Sequence, residues 1–81
     1  MAMVSGVVLD KFTGDPISGA LIHIGHYRTT SGPDGSFSLD VPEGTYIVTV
    51  SAEGYMQVTR VVNVTDGTYL TILMTPVVKL L

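Results

Sequence analysis

The chain of 81 residues has no cysteine, no tryptophan and few charges. Without cysteine, it has neither a disulfide framework nor a zinc–thiolate site. Charged residues make up 14% of the chain, against about 25% in ordinary soluble domains. Four basic and seven acidic residues give a net charge of −3, which argues against nucleic-acid binding and against docking on anionic membranes. No apolar run approaches the roughly 18 residues of a membrane span, and the amino-terminal residues before the first predicted strand are too few for the apolar region of a signal peptide.

Valine, isoleucine and threonine together make up one third of the chain. These residues favour strands, and no window shows helical apolar spacing free of glycine or proline. Regularly recurring turn signals are typical of an all-β sandwich or barrel. The alternation predicts seven strands, at approximately residues 3–9, 20–25, 27–31, 36–39, 45–52, 55–65 and 68–75.

Side chains on a strand alternate between its two faces, so the pattern also predicts the core. The predicted inward residues are Val4, Val8, Ala20, Ile22, Ile24, Phe37, Leu39, Tyr46, Val48, Val50, Ala52, Val62, Val64, Leu70, Ile72 and Met74. The opposite faces should be polar, yet a set of apolar residues falls on them: Val7, Leu9, Leu21, Ile47, Val61, Tyr69 and Leu73. A domain this small buries only about 60% of its unfolded surface, so the surplus predicts a neighbour that covers part of it.

An ordered set of short motifs resembles the carboxypeptidase regulatory-like domains. The motifs are SGVVLD at 5–10, TGDPISGA at 13–20, DGSFSL at 34–39, VPEGTY at 41–46 and AEGY at 52–55. The resemblance implies a seven-stranded, antiparallel or mixed, two-sheet sandwich that is transthyretin-like (prealbumin-like), with a Greek-key, immunoglobulin-like architecture. It also implies a usually non-catalytic module of extracellular or cell-envelope proteins. We expect Tyr46 and Tyr55 to fill the core, with hydroxyls that reach a partner at its rim.

The carboxyl end carries apolar residues beyond the family pattern. We therefore expect one sandwich domain over residues 1–76 and an apolar tail over residues 77–81. With no folding role in its own domain, such a tail would belong to a following domain or pair with a sheet edge of another subunit. The predicted interface combines the outward apolar residues named above with Val77, Val78, Leu80 and Leu81.

Candidate reactive groups in the sequence are few. His23 and His26 form a His-x-x-His motif, but residues three apart on a strand face opposite sides, so we predict no metal site. No nucleophile motif is present, and we predict neither an enzyme nor a cofactor. The acidic residues of the turns are interpreted as turn formers: Asp34, Glu43, Glu53 and Asp66. Asn63-Val64-Thr65 is an N-glycosylation sequon, and Asn63 should point outward.

These observations favour a non-catalytic, extracellular or cell-surface structural module that packs against copies of itself or against neighbouring domains. One alternative is a self-assembling subunit of an extracellular filament or surface layer, joined by strand addition through the terminal tails. A second alternative is a glycan- or ligand-binding accessory domain that uses Tyr27, Tyr55 or Tyr69. The expected partners are other copies or adjacent protein domains, with no nucleic acid and no membrane span.

Overall fold

The predicted all-β sandwich is confirmed by the computed structural model, which describes residues 1–78. Seven strands form two sheets, and no described residue is helical. The strands are β1 (Ala2–Asp10), β2 (Leu21–Ile24), β3 (Tyr27–Thr30), β4 (Ser36–Val41), β5 (Gly44–Ser51), β6 (Val58–Val64) and β7 (Thr68–Met74). The described part of the chain therefore contains no helix long and apolar enough to cross a membrane.

One sheet has three strands in the order β4-β1-β7, and the other has four in the order β3-β2-β5-β6. The strands β1 and β7 are parallel, and every other described pair is antiparallel. The mixed topology agrees with the prediction. It leaves β4 and β7 as edges of the first sheet, and β3 and β6 as edges of the second.

The largest difference from the predicted strands lies at the start of β6. Residues 55–57 were predicted to belong to this strand, but β6 begins at Val58. Tyr55 instead forms an isolated antiparallel bridge with Pro76, and the Met56 amide donates to the Thr75 carbonyl at 2.8 Å. The backbone of this segment therefore pairs with the end of the chain, which excludes a continuous ladder with β5.

The core lies between the two sheets and follows the predicted alternation closely. Of the predicted inward residues, Leu39, Tyr46, Ala52 and Val62 are only half-buried at its margin, and the others are buried. Three further core residues were missed: Ala2, Ile17 and Val41. Ala2 and Val41 face each other where β1 and β4 run longer than predicted, and Ile17 is held in a loop by its amide, which donates to the Val8 carbonyl at 2.9 Å.

Candidate interaction surfaces

The outer surface of the three-stranded sheet carries apolar side chains interspersed with small polar ones. We call it the three-stranded face and define it by the outward residues Met3, Val7, Leu9, Tyr69 and Leu73. Leu9 lies beside Leu73 in the parallel register. Tyr69 is 63% exposed, Leu73 50% and Met3 43%, while Val7 and Leu9 are half-buried. In the same register Tyr69 is opposite Ser5, and Val7 is opposite Thr71. The face therefore gathers apolar residues from distant parts of the sequence, with small polar residues between them.

The outer surface of the four-stranded sheet also carries exposed apolar residues. Ile47 and Val61 are directly opposite each other on β5 and β6, with exposures of 60% and 72%. Leu21 on β2 points the same way but is half-buried. The outward orientation that the sequence predicted for seven apolar residues is thus confirmed, and four of them are truly exposed: Ile47, Val61, Tyr69 and Leu73.

Charge is divided between the two sheets. The four strands of the larger sheet contain no aspartate or glutamate, but they carry His23, Arg28 and Arg60. The three strands of the smaller sheet contain no lysine, arginine or histidine, but they carry Asp10 and Asp40. A molecule with a net charge of −3 therefore has one sheet free of negative side chains.

A groove of about 490 Å³ lies on the outer surface of the four-stranded sheet. It is lined by His23, Gly25, His26, Ile47, Thr49, Ser51 and Gln57. The expectation that the two imidazoles diverge is wrong, because β2 ends at Ile24 and a two-residue turn follows it. Gly25 adopts a φ of 59° in that turn, and the chain reversal brings His26 to the groove that His23 lines.

Gly25 is required by its surroundings as well as by its own backbone angle. A Cβ at this position would lie 2.7 Å from the Cδ1 atom of Tyr46. Tyr46 packs against the core, and its hydroxyl donates to the Pro42 carbonyl at 2.7 Å. The prediction that the Tyr46 hydroxyl finds a partner at the rim of the core is therefore confirmed. The Tyr46 ring also lies beneath the turn that carries His26.

Asp10 is a buried carboxylate whose role the sequence analysis missed. Its Oδ1 atom accepts the amides of Phe12 at 2.8 Å and Thr13 at 3.0 Å, and its Oδ2 atom accepts the Tyr55 hydroxyl at 2.8 Å. The amides of Thr13 and Phe12, followed by the Tyr55 hydroxyl, hold the pKa of Asp10 below its usual range. An aspartate just before a loop often accepts backbone amides in an Asx turn, so the sequence offered a local signal for the bonds to Phe12 and Thr13. No local signal indicated that Tyr55 would be the third partner.

Two carboxylates of the turns have different partners: Asp34 bonds within its own turn, and Asp66 bonds to the start of β1. Asp34 Oδ1 accepts the Ser36 hydroxyl at 2.6 Å and the Ser36 amide at 3.0 Å, and these bonds lower the pKa of Asp34. Asp66 Oδ1 accepts the Met3 amide at 3.1 Å. The predicted turn role of Asp34 is thus confirmed, whereas the Asp66 side chain ties the turn after β6 to β1. Within residues 1–78, no three histidine or carboxylate side chains gather into a group able to hold a metal ion.

The three tyrosines considered for ligand binding do not form one platform. Tyr27 lies on the edge strand β3 and Tyr69 on β7 of the opposite sheet. Tyr55 lies between β5 and β6, and its hydroxyl is engaged by Asp10. The three rings therefore lie on separate parts of the domain.

The start of the predicted tail pairs with its own domain. The Val77 amide donates to the Gly54 carbonyl at 2.9 Å, although the Val77 and Val78 side chains are exposed. The expectation that the tail has no role in its own domain therefore fails at Val77. The other predicted interface residues of the tail, Leu80 and Leu81, lie outside the described residues.

Asn63 lies on the outer side of the edge strand β6, with an exposed side chain. It is directly opposite Thr45, whose hydroxyl is 3.4 Å from Asn63 Oδ1. Val64, the middle residue of the sequon, is buried in the core. The outward position predicted for Asn63 is thus confirmed.

The fold and its surfaces define a small two-sheet β-sandwich with uncovered apolar faces. The sequence model of the carboxypeptidase regulatory-like domain matches residues 3–75, and the chain belongs to that family. It is similar to carboxypeptidase Z of Gallus gallus, with 41% identity over 59 residues, which is 70% of this chain and 9% of that protein. The chain thus spans about a tenth of the length of this relative.

Solved structures show the same sandwich within longer chains. A chain from a cohesin–X–dockerin complex of Acetivibrio cellulolyticus is similar with a TM-score of 0.81 and 24% identity, over 94% of this chain and 58% of that one. A putative membrane-associated protein of unknown function from Bacteroides fragilis has a TM-score of 0.68 and 22% identity, over 94% of this chain and 28% of that one. At these identities the likeness establishes the fold.

Proposed function

We propose that this sandwich is a non-catalytic interaction module that docks, through its three-stranded face, onto a neighbouring protein domain outside the cell or in the cell envelope. The observation that carries this proposal is the apolar area of that face, where Tyr69 and Leu73 are at least half exposed. Exposed apolar side chains that gather on one face of a small domain favour an interaction site. A regular sheet also presents such a surface without ordering a loop on binding.

The relatives favour a neighbouring domain as the partner. This chain corresponds to 9% of carboxypeptidase Z and to 58% of the Acetivibrio chain, so the sandwich is one part of each longer polypeptide. A domain linked to its neighbour docks at a high effective concentration, so a modest apolar face is sufficient. The extracellular or envelope location is supported by the family resemblance and by the membrane-associated description of the Bacteroides protein.

Assembly of copies through strand addition has less support. The Val77 amide already donates to Gly54 of the same chain, so the first part of the proposed donor strand is occupied. The free edge of β7 is also partly blocked, because the Arg60 guanidinium donates to the Thr71 carbonyl at 3.2 Å. A side chain across an edge opposes pairing with another strand.

The test compares apolar-to-polar variants of the two faces. Tyr69→Thr with Leu73→Thr alters the three-stranded face, and Ile47→Thr with Val61→Thr is the matched control on the other sheet. We expect the wild-type chain to bind a hydrophobic dye and to associate only weakly in sedimentation equilibrium. The first variant should lose both properties, and the control should keep them.

Two results would contradict the docking proposal. A wild-type chain that binds no dye would show that the three-stranded face is not an effective apolar surface. A dimer that persists at low micromolar concentration would make a second copy the partner in place of a neighbouring domain.

A further inference from the structure

The groove on the four-stranded sheet lies on the side of the molecule opposite the three-stranded face. We propose that it binds a carboxylate-bearing sugar unit, such as a hexuronate, and that binding strengthens as the pH falls below neutrality. This inference is independent of the docking proposal, since no residue of the three-stranded face lines the groove.

The lining has the chemistry of a site for a polar ring with one acidic group. Thr49 and Ser51 offer hydroxyls, and Gln57 offers an amide that both donates and accepts hydrogen bonds. Ile47 offers an apolar surface for the carbon-bound hydrogens of a sugar ring. The volume of about 490 Å³ lies within the range of roughly 300–1,000 Å³ that is usual for small-molecule sites.

The electrostatics of the groove favour an anion. His23 and His26 line it, and Arg28 is directly opposite His23 on β3. Both neighbours of β2, the strands β3 and β5, lack carboxylates, as do β2 and β6. Glu43 directly precedes β5, Glu53 lies in the turn after β5 and Asp66 follows β6, and none of them lines the groove.

The groups that face the histidines determine the expected pH dependence. Beside His23 are Arg28 on β3 and the uncharged Thr49 on β5. Under the turn of His26 lies the ring of Tyr46, whose hydroxyl is engaged by the Pro42 carbonyl. Histidine gains its positive charge between about pH 8 and pH 5, so acidification adds cations to a site without a carboxylate to neutralise them.

An acidic peptide is the competing ligand, and the lining favours the sugar. A glutamate side chain would use the imidazoles but would leave the groove hydroxyls of Thr49 and Ser51 without a specific partner. A hexuronate offers its own hydroxyls to these groups as well as its carboxylate to the histidines. The sugar therefore matches more of the lining than an isolated carboxylate does.

Three probes separate these cases by NMR titration of the whole chain: trigalacturonate, its fully methyl-esterified form and a hexaglutamate peptide. We expect trigalacturonate to bind about tenfold more tightly at about pH 5.5 than at about pH 7.5, because uronate and glutamate carboxylates stay largely ionised over this range while histidine gains charge. The amides of the groove residues should shift. The ester should bind at least tenfold more weakly, and hexaglutamate more weakly than trigalacturonate.

Matched variants test the assigned groups. His23→Gln with His26→Gln should remove the pH dependence, whereas Lys11→Gln removes a cation from an exposed loop and should retain it. Thr49→Val should weaken trigalacturonate but not hexaglutamate, and Thr71→Val on the other sheet should change neither. If the double variant fails to fold, His26→Gln in the exposed turn alone should reduce the pH dependence.

Several results would overturn the assignment. No binding of trigalacturonate at either pH would refute the site. Equal binding of the acid and its ester, or shifts confined to residues outside the groove, would refute recognition of the carboxylate there. Hexaglutamate binding as tight as that of trigalacturonate would make the groove a site for acidic peptides and refute the sugar.

Discussion

The Tyr55 hydroxyl donates a hydrogen bond to Asp10 Oδ2 at 2.8 Å, across a sequence separation of 45 residues. Asp10 ends β1 in the three-stranded sheet, and Tyr55 follows β5 of the four-stranded sheet. The same carboxylate holds the start of the loop after β1 through two amides. This one residue therefore fixes a loop and ties the two sheets together at one end of the sandwich.

Asp10→Asn should lower the melting temperature by several degrees at neutral pH, because an amide is a weaker acceptor for these three donors than a carboxylate. The pKa of Asp10 is depressed in the folded state, so its contribution is present above the pKa of the unfolded chain. This stabilising contribution is lost as the pH falls through the pKa of Asp10 in the folded state, which is lower than the pKa in the unfolded chain. The difference between wild type and variant should therefore shrink in acid, as measured by thermal unfolding from neutral pH to about pH 2.

Asp40→Asn is the control, since Asp40 is an exposed carboxylate of β4. The ionisation of Tyr55 gives an independent check of the same hydrogen bond at high pH. The Asp10 carboxylate raises the pKa of Tyr55, so this stabilisation is present below about pH 10 and is lost as the pH rises through the folded value. A pH-independent difference between wild type and Asp10→Asn would refute the ionic role.

Ile72→Ala should destabilise the fold by about 2–5 kcal/mol, because it leaves a cavity in a packed core. Ile72 is 1% exposed, whereas its neighbour Leu73 is 50% exposed and on the opposite face. Leu73→Ala should therefore change stability by only about 0.5 kcal/mol. Urea unfolding of the two variants tests which residues of β7 face the core. Equal decreases in the free energy of unfolding would contradict the inward position of Ile72 and the outward position of Leu73.

Gly6→Ala should destabilise the fold by about 1–3 kcal/mol, because the site has no room for a methyl group. A Cβ there would collide with the Leu70 carbonyl oxygen and lie 2.7 Å from Phe37 Cζ. The control is Gly32→Ala, where the nearest atom would be 3.6 Å away, and it should be neutral or stabilise by up to about 1 kcal/mol. Thermal unfolding measures both, and a tolerated Gly6→Ala would mean that β1 and β7 are further apart than described.

Arg60→Ala should accelerate aggregation, because it uncovers the Thr71 carbonyl on the free edge of β7. Arg28→Ala is the matched control. It removes the same charge from the edge strand β3, so net charge changes equally in both. Light scattering at elevated temperature should show faster aggregation of Arg60→Ala than of Arg28→Ala. Identical aggregation rates for the two variants would mean that the loss of one positive charge, and not the uncovered edge of β7, causes the effect.

Asn63 should be glycosylated when the chain is secreted from a eukaryotic cell, since the sequon lies on an exposed edge strand. Mass spectrometry should detect one glycan in the wild type and in Thr65→Ser, which keeps the sequon. Thr65→Ala removes the sequon and should abolish the addition. An unmodified wild-type chain from such a cell would contradict this prediction.

Much of the fold could be predicted from the sequence because the signals are local. Alternation along β5 and β7 placed Val48, Val50, Ile72 and Met74 inside, as found, since side chains on a strand have a period of two. The core residues that were missed lie at strand ends or in a loop, where this period stops. Ile17 is buried by its loop contact with β1, which no strand pattern marks.

The candidate site was less predictable, because it depends on which segments meet. Applying strand alternation across residues 23–26 separated His23 from His26, whereas the Gly25 turn brings them to one groove. The apolar character of Leu9 and Leu73 was visible in each strand. Only the parallel β1–β7 pairing shows that they are adjacent.

By itself, the sequence determined the class of fold, the facing of its strands and the surplus of apolar side chains, because composition and local alternation specify these. The tertiary structure alone decided that Asp10 meets Tyr55, that two histidines share a groove and that the two sheets differ in charge. These depend on strand order and chain reversal, which are set by contacts between residues far apart in the chain.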